Sequence, residues 1–191
     1  MRIVAGSRRG LKLAAPEGLD VRPTSERARE ALFSMLTSGK YGNVLIGRRV
    51  LDLFAGTGAL GLEALSRGAS HVVLVENHPR AVAALRANVA TCKARDEAQI
   101  RDQDATVFHE RAIEPAGLIL MDPPYGTGDW APALTSVAAR GWIGDDTVIA
   151  IEVAKTEDPE APEGFELLDQ RKYGRAKIVI LRRAGAETAN A

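Results

Sequence analysis

Residues 50–61, VLDLFAGTGALG, determine how the rest of the chain is interpreted. The apolar residues that open this stretch predict a buried strand. The glycines that follow permit a tight turn and let the backbone approach a ligand without a Cβ in the way. A helix is expected from about residue 58 to 67, ended by Gly68. The stretch therefore predicts a strand, a turn that can bind a ligand, and a helix packed behind it.

The same alternation of strand and helix continues on both sides of this stretch. Alternation of this kind predicts a mostly parallel sheet with helices on both faces, an α/β fold. The end of the chain differs, because FELLDQ and AKIVILR are joined through Tyr173-Gly174 with no helix between them, which predicts a hairpin and one antiparallel strand. The further strands are predicted at 71–76, 98–102, 117–121 and 147–153, and the further helices at 25–36, 79–91 and 129–140.

Ligands of such sheets bind beyond the carboxyl ends of the strands, and acidic residues stand there. Asp52 is expected to point its carboxylate toward this mouth, where it repels a diphosphate and attracts an ammonium or sulfonium group. The alternative is a carboxylate that accepts hydrogen bonds from amides of the glycine loop, a role that does not exclude the first. Glu76 can accept from two ribose hydroxyls, or can cap the next helix. Asp104 can accept from the exocyclic amine of an adenine, although several acids crowd that region.

The glycine spacing alone does not identify the ligand. Gly56, Gly58 and Gly61 match the G-x-G-x-x-G pattern of dinucleotide-binding proteins, so an NAD-dependent oxidoreductase is an open alternative. Glu76 is compatible with either kind of nucleoside. A glycine turn that only packs helix against strand is a further alternative.

Asp122-Pro123-Pro124-Tyr125 directly follows the apolar strand 117–121 and is the most specific local signal. Two consecutive prolines fix the backbone, so they predict a rigid loop at the mouth of the sheet. The loop presents hydrogen-bond acceptors, the Asp122 carboxylate and the Pro123 carbonyl, beside the plane of Tyr125. This combination suits a flat heterocycle that carries an amino group.

Charge is distributed unevenly along a chain that is neutral overall. The 191 residues include 25 basic and 25 acidic side chains, yet residues 1–49 carry ten Lys or Arg and four acids, a net charge of +6. A basic end on a neutral protein is a candidate surface for nucleic-acid phosphates, and a solvated basic face is the alternative.

Composition excludes several classes of protein. Apolar residues make up 46% and charged residues 26%, as in ordinary globular proteins. Cys92 is the only cysteine, so an internal disulfide is impossible. No apolar run is long enough to span a membrane, and no signal peptide is recognisable, so we expect a cytoplasmic protein. His71, His78 and His109 have no metal-ligand spacing, and we expect no metal.

Taken in order, DLFAGTG at 52–58, Glu76 and DPPY at 122–125 resemble the class I S-adenosylmethionine-dependent methyltransferases that act on amino groups. The opening MRIVAGSRRGLKLAAP, the Arg22-Pro-Thr24 triplet and the Arg29-to-Phe33 segment are similar to the RsmD family of 16S ribosomal RNA guanine-N2 methyltransferases. The resemblance extends from Met1 to about Arg183.

The resemblance implies a Rossmann-like, seven-stranded, mostly parallel sheet with an antiparallel last strand and a small N-terminal extension. We expect an N-terminal basic extension and helix at 1–40 that contacts RNA, a methyltransferase domain at 41–183 and, outside the resemblance, a disordered tail at 184–191. The resemblance implies S-adenosylmethionine as cofactor and 16S rRNA, within the small ribosomal subunit, as partner, and we expect a monomer by default.

Site residues follow from the same resemblance. Catalysis is assigned to Asp122, Pro123, Pro124 and Tyr125. Cofactor binding is assigned to Asp52, Phe54, Ala55, Gly56, Thr57, Gly58, Glu76, Asn77, Asp104 and Ala105. RNA binding is assigned to Arg2, Arg8, Arg9, Lys12, Arg22, Thr24 and Arg29.

Competing hypotheses share part of these features. A methyltransferase acting on a DNA base or a protein glutamine would use the Asp122–Tyr125 loop without needing the basic N-terminus. An NAD-dependent oxidoreductase has no evident use for that loop. A non-catalytic RNA-binding module would use only the basic end.

Overall fold

The computed structural model describes residues 1–15 and 26–185. Four α-helices and seven strands alternate along most of the described chain. In chain order they are α1 (Glu26–Leu36), β1 (Arg49–Leu53), α2 (Ala59–Ser66), β2 (His71–Glu76), α3 (Pro79–Thr91), β3 (Ala98–Asp102), β4 (Leu118–Met121), α4 (Trp130–Ala138), β5 (Val148–Ala154), β6 (Phe165–Tyr173) and β7 (Ala176–Arg183). A single 3₁₀ turn, Ala105–Val107, lies between β3 and β4.

The strands form one sheet in the order β3-β2-β1-β4-β5-β7-β6. Strands β1 to β5 are parallel, and the chain runs from β1 outward to β3 before it returns to β4 beside β1. The strand order reverses between β1 and β4, so their carboxyl ends flank the crevice in which ligands of such sheets bind. The predicted fold class, a Rossmann-like sheet with helices on both faces, is confirmed.

The two strands of the C-terminal hairpin do not join the sheet in chain order, because β7 lies between β5 and β6. Strand β7 pairs antiparallel with β5 on one side and with β6 on the other. The predicted antiparallel last strand is therefore correct. Its apolar residues 178–181 are buried, because an interior strand is covered on both faces.

Two hydrophobic clusters occupy the two faces of the sheet. One face is covered by α1, α2 and α3, where Leu62 and Leu85 are buried. The other face is covered by α4, through Leu134 and Val137, and by the 3₁₀ turn. The two clusters shield the parallel strands from water on both faces of the sheet, as is usual for parallel sheets.

Residues 1–15 form a small hairpin that packs on α2. Its two strands meet at an isolated antiparallel bridge between Arg2 and Lys12. Ile3 and Leu13 are buried in the same cluster as Leu62, so the predicted segments 1–40 and 41–183 share one hydrophobic core. Gly6, with φ +83°, lies so close to α2 that a Cβ would be 1.8 Å from the Ser66 carbonyl oxygen.

Some predictions concern residues outside the described ranges. Arg22, Thr24 and residues 186–191 of the predicted tail belong to this group. Within residues 1–15 and 26–185, no helix has both the length and the apolar character needed to cross a bilayer.

Candidate active site

The glycine loop at residues 54–58 opens at the carboxyl end of β1. Phe54 has a φ of +64°, which is uncommon for an aromatic residue and marks a backbone held by its surroundings. A Cβ on Gly56 would meet no atom within 4 Å, so the loop faces open space there. A Cβ on Gly58 would lie 2.4 Å from Leu85 Cδ1, so this glycine serves the packing of α2 against α3. The loop therefore uses one glycine for access and another for packing.

The remaining loop residues face the protein interior. Ala55 and Thr57 are buried. The Thr57 carbonyl accepts a hydrogen bond of 2.9 Å from Asn88 Nδ2, and its hydroxyl lies 3.7 Å from Met1 Sδ. Thr57 thus joins the loop to α3 and to the N-terminal hairpin. Phe54 and Gly56 remain as the accessible part of the loop.

Asp52 supports the glycine loop from behind. Its residue is 1% exposed, and Oδ2 accepts a hydrogen bond of 2.8 Å from the Gly61 amide in α2. Oδ1 is buried and has no hydrogen-bond partner among the described residues. This corrects the prediction that the Asp52 carboxylate points into the mouth of the sheet. The alternative, a carboxylate bonded to amides of the glycine segment, is what the structure has.

Three carboxylates nevertheless lie close together here. Burial raises the pKa of Asp52 to about 8; the Gly61 hydrogen bond opposes this rise, and Asp122 and Glu76 add to it. Strands β1, β2 and β4 are parallel neighbours, so their carboxyl ends meet at one edge of the sheet and form one cleft there. Burial therefore favours the protonated form of the Asp52 carboxyl.

Glu76 organises the end of β2. Its Oε2 accepts from the Gly56 amide at 2.8 Å, and its Oε1 accepts from the amides of Asn77 and His78 at 3.0 and 2.7 Å. Glu76 therefore caps the turn into α3, one of its two predicted roles, and also holds the open glycine of the loop. Its carboxylate is half-buried and stands at the edge of the cleft.

Asp104 and Ala105 lie at the same edge of the sheet, after β3. Asp104 is exposed, and its Oδ1 accepts from the Thr106 amide at 2.8 Å and from the Thr106 hydroxyl at 2.7 Å. Ala105 is buried against α4, where its carbonyl accepts from Ser136. The short 3₁₀ turn thus gives Asp104 a fixed position on the rim.

The Asp122–Tyr125 loop leaves β4 at the centre of the sheet. Pro123 is buried and anchors its start, while residues 124–128 are exposed. The Tyr125 side of the loop is nevertheless fixed, since the Tyr125 hydroxyl donates a hydrogen bond of 2.8 Å to Glu152 Oε1. The loop therefore places Asp122 in the cleft beside an exposed aromatic ring.

Residues of β5 and the acidic segment 156–164 border this loop but are absent from the sequence-based assignment. Glu152, near the end of β5, binds Tyr125, and Glu157 accepts from the Gly126 amide at 3.2 Å. Trp130 lines the same small cavity as Glu152. An acid at the end of an apolar strand, TVIAIEV, was a usable signal for Glu152, whereas no sequence signal identified Glu157.

The structure gives two residues of the RNA-binding assignment, Arg29 and Arg8, contacts within the protein, and it corrects the assignment of Arg29. Arg29 is 0% exposed, lies 3.5 Å from Glu63 and donates to the Arg2 carbonyl. Glu63 also accepts from the amides of Val4 and Ala5. Arg29 therefore ties α1 and the hairpin to α2, and its guanidinium cannot reach an RNA phosphate. The amphipathic pattern of α1 could not predict the burial of Arg29, because its partner Glu63 is remote in sequence.

The other basic residues of the hairpin are either paired within the protein or exposed to solvent. Arg8 donates to the Cys92 carbonyl at 2.9 Å and pairs with Glu97, so it too holds the hairpin in place. The tip of the hairpin lies beside Ser66, at the C-terminal end of α2. The glycine loop lies at the other end of this helix, about 12 Å from Ser66 for a helix of this length. Arg2, Arg9 and Lys12 are exposed.

Within the described ranges, no group of three or more His, Cys, Asp or Glu side chains is arranged to hold a metal ion.

Comparisons with known proteins identify the family. The family model described as Conserved hypothetical protein 95 matches residues 1–182. Ribosomal RNA small subunit methyltransferase D of Escherichia coli K12 is 33% identical over 185 residues, which is 96% of this chain and 90% of that protein. The Haemophilus influenzae protein of the same name is 30% identical over 177 residues, 91% of this chain and 89% of its own length.

Solved structures give the same result. The Escherichia coli protein yhhF has a TM-score of 0.80 at 33% identity, covering 96% of this chain and 97% of that one. The ribosomal protein L11 methylase of Lactobacillus delbrueckii subsp. bulgaricus, at 13% identity and a TM-score of 0.62 over 82% of this chain and 79% of that one, shares the fold alone. Because the family model spans nearly the whole chain and the relatives match along most of it, the chain belongs to the RsmD family of methyltransferases.

Proposed function

We propose that this protein transfers a methyl group from S-adenosylmethionine to the exocyclic N2 of a guanine in 16S ribosomal RNA. The proposal rests on the position of the Asp122–Tyr125 loop. This loop lies in the same cleft as the glycine loop and Glu76. The names of the relatives support ribosomal RNA of the small subunit as substrate. They also support a methyltransferase over an NAD-dependent oxidoreductase.

The cleft has the chemical groups that S-adenosylmethionine needs. Gly56 lets a ligand approach the backbone without steric obstruction. The Glu76 carboxylate, at the end of the neighbouring strand, can accept hydrogen bonds from ribose hydroxyls. Asp104 offers a fixed acceptor on the rim for an adenine amine. We assign cofactor binding to these residues and to their neighbours Phe54, Ala55, Thr57, Gly58, Asn77 and Ala105. The bound cofactor supplies an electrophilic methyl group on a sulfonium.

The Asp122 loop has to make a poor nucleophile reactive. The lone pair of guanine N2 is delocalised into the ring, so the amine must be turned before it can attack. The Asp122 carboxylate and the Pro123 carbonyl accept the two N–H groups and orient the lone pair toward the methyl group. The Tyr125 ring, in a residue 39% exposed, stacks on the base. Asp122 then accepts the proton that leaves the methylated nitrogen.

The base has to leave its RNA context to reach this cleft. Extrusion costs a few kcal/mol unless the nucleotide is already unpaired. Contacts between exposed basic side chains of the hairpin and RNA phosphates offset part of that cost in a salt-dependent way. Arg2, Arg9 and Lys12 remain the described candidates for these contacts.

Mass spectrometry of 16S rRNA tests the proposal directly. A strain that lacks the protein should lose one N2-methylguanine, and the wild-type protein should restore it in vitro with S-adenosylmethionine. Asp122→Ala should lower methyl transfer by orders of magnitude while calorimetry with S-adenosylhomocysteine gives near wild-type affinity. An unchanged rRNA, with methylation lost from DNA or from a protein glutamine instead, would refute the substrate.

A further inference from the structure

We propose that Glu152 and Glu157 are positioning residues that hold the Asp122–Tyr125 loop against β5, so that the Tyr125 ring keeps one orientation relative to Asp122. The inference rests on the proposed function, because it treats this loop as the platform for the substrate base. It extends the machinery to β5 and to the acidic segment at 156–164.

Glu152 fixes the aromatic ring at its hydroxyl end. The residue is 8% exposed and belongs to β5, which pairs with strands on both sides, so its backbone is held. Its Oε1 accepts the hydrogen bond from the Tyr125 hydroxyl. An exposed tyrosine otherwise samples several rotamers, and an acceptor held at the edge of the core selects one of them.

Glu157 fixes the next residue of the loop. Its Oε1 accepts from two backbone amides that belong to different segments, Ala154 at 2.8 Å and Gly126 at 3.2 Å. One carboxylate oxygen therefore joins the end of β5 to the loop. Gly126 has a φ of +76° and open space around it, so its own packing does not hold it.

Residue 157 is itself anchored by the sheet. Its amide donates to the Ala154 carbonyl at 2.9 Å, and its carbonyl accepts from Lys177 Nζ in β7. Lys177 is 4% exposed and also donates to Asp158 Oδ1 at 2.8 Å. Lys177 in β7 therefore holds residue 157, and the side chain of residue 157 holds the Gly126 amide.

Apolar packing of the loop ends early. Pro123 is buried, but the five residues that follow it are exposed, and the loop turns back at Gly128 with a φ of +71°. Within the loop, the Thr127 hydroxyl donates to the Pro124 carbonyl at 2.9 Å, whereas the contacts at Tyr125 and Gly126 join the loop to the two glutamates. A small displacement of a positioned group costs a large factor in rate, so we expect the two glutamates to affect turnover more than binding.

Glu157 can be tested with a matched set of variants in the full-length protein. Glu157→Ala removes the shared acceptor, Glu157→Gln keeps an acceptor oxygen, and Glu163→Ala removes an exposed carboxylate of the same segment. Hydrogen exchange of the Gly126 and Ala154 amides should accelerate roughly tenfold to hundredfold in Glu157→Ala, as expected for loss of a bond to a charged acceptor. It should stay near wild type in Glu163→Ala and be intermediate in Glu157→Gln, whose acceptor oxygen is uncharged.

Glu152 is tested by a cycle with its partner. Glu152→Ala and Tyr125→Phe should each lower kcat for the rRNA substrate, and the double variant should be little worse than either single one, because the same bond is lost. Glu152→Gln should restore most of kcat, since its amide oxygen can still accept from the hydroxyl. Affinity for S-adenosylhomocysteine should be unchanged in all of them, and the melting temperature shows that each variant is folded at the assay temperature.

The outcomes separate this inference from the proposed function. Exchange and melting can be measured whether or not the wild type methylates rRNA, so absence of activity in the wild type overturns the function alone. Wild-type exchange at Gly126 in Glu157→Ala, additive effects in the Glu152–Tyr125 cycle, or full kcat despite faster exchange would each overturn the positioning role.

Discussion

The Gly56 amide donates a hydrogen bond of 2.8 Å to the Glu76 carboxylate, and this contact joins the glycine loop of β1 to the end of β2. The second oxygen of the same carboxylate accepts two further amides, from Asn77 and His78. Glu76 therefore shapes the cleft in which we propose that the cofactor binds.

Substituting Glu76 should weaken cofactor binding without unfolding the protein. Glu76→Ala removes a charged acceptor from three amides and from the proposed ribose contact, and we expect affinity for S-adenosylhomocysteine to fall roughly tenfold to hundredfold. Glu76→Gln should lie between this variant and the wild type. Calorimetry measures the change, with Asp96→Asn, at an exposed position before β3, as control. Equal affinity in Glu76→Ala and the control would contradict the assignment.

Asp52 should make stability depend on pH. Its pKa is raised to about 8 in the native protein, against about 4 in an unfolded chain, so the folded state retains a proton that the unfolded state releases. The stability present below about pH 4 is therefore lost progressively as pH rises toward 8, at up to roughly 1.4 kcal/mol per pH unit. Asp52→Asn, which cannot titrate, should lose this slope.

Urea unfolding of the wild type and of Asp52→Asn at intervals from pH 5 to pH 8 measures the difference directly. The difference in free energy of unfolding between the two proteins should change steadily in favour of the variant as pH rises. A constant difference across that range would show that Asp52 is ionised in the folded state.

Asn88 should couple the N-terminal hairpin to the glycine loop. Its Nδ2 donates to the carbonyls of Thr57 and Ala14, and its Oδ1 accepts from the Ala14 amide at 2.7 Å. Asn88→Ala leaves the buried Thr57 carbonyl and the two Ala14 backbone groups without this partner, and we expect a loss of about 1–3 kcal/mol in the free energy of unfolding. Thr91→Ala, an exposed position near the end of the same helix, is the control for urea unfolding. Equal midpoints would contradict the role.

Exposed cations of the hairpin should determine part of the salt dependence of RNA binding. The double variant Arg9→Gln, Lys12→Gln should reduce the slope of log affinity against log salt by about 1.4 to 1.8, if each side chain neutralises one phosphate. Arg8 is left intact because it holds the hairpin to Cys92 and Glu97. Filter binding of 16S rRNA between low and moderate salt measures the slope, with Arg140→Gln as control. An unchanged slope would remove the hairpin from the RNA interface.

Several parts of the site could be read from the sequence because they depend on local order. The strand before Gly56, the acid that ends β2 and the diproline loop after β4 each follow an apolar run, and parallel topology brings the ends of such runs to one edge. The cluster of Asp52, Glu76 and Asp122 follows from that rule alone. The direction of a side chain within the cluster does not, and the Asp52 carboxylate turned out to face Gly61.

The sequence by itself determined the α/β alternation, the terminal hairpin and the positions of the glycine and diproline loops, because hydrophobic periodicity and backbone restriction act over a few residues. Only the tertiary structure decided that Arg29 is buried against Glu63, that β7 lies between β5 and β6, and that Glu157 reaches Gly126. Each of these depends on a partner more than thirty residues away in the chain or on the order of strands, and burial and pairing between such remote groups are set by the packing of the whole fold.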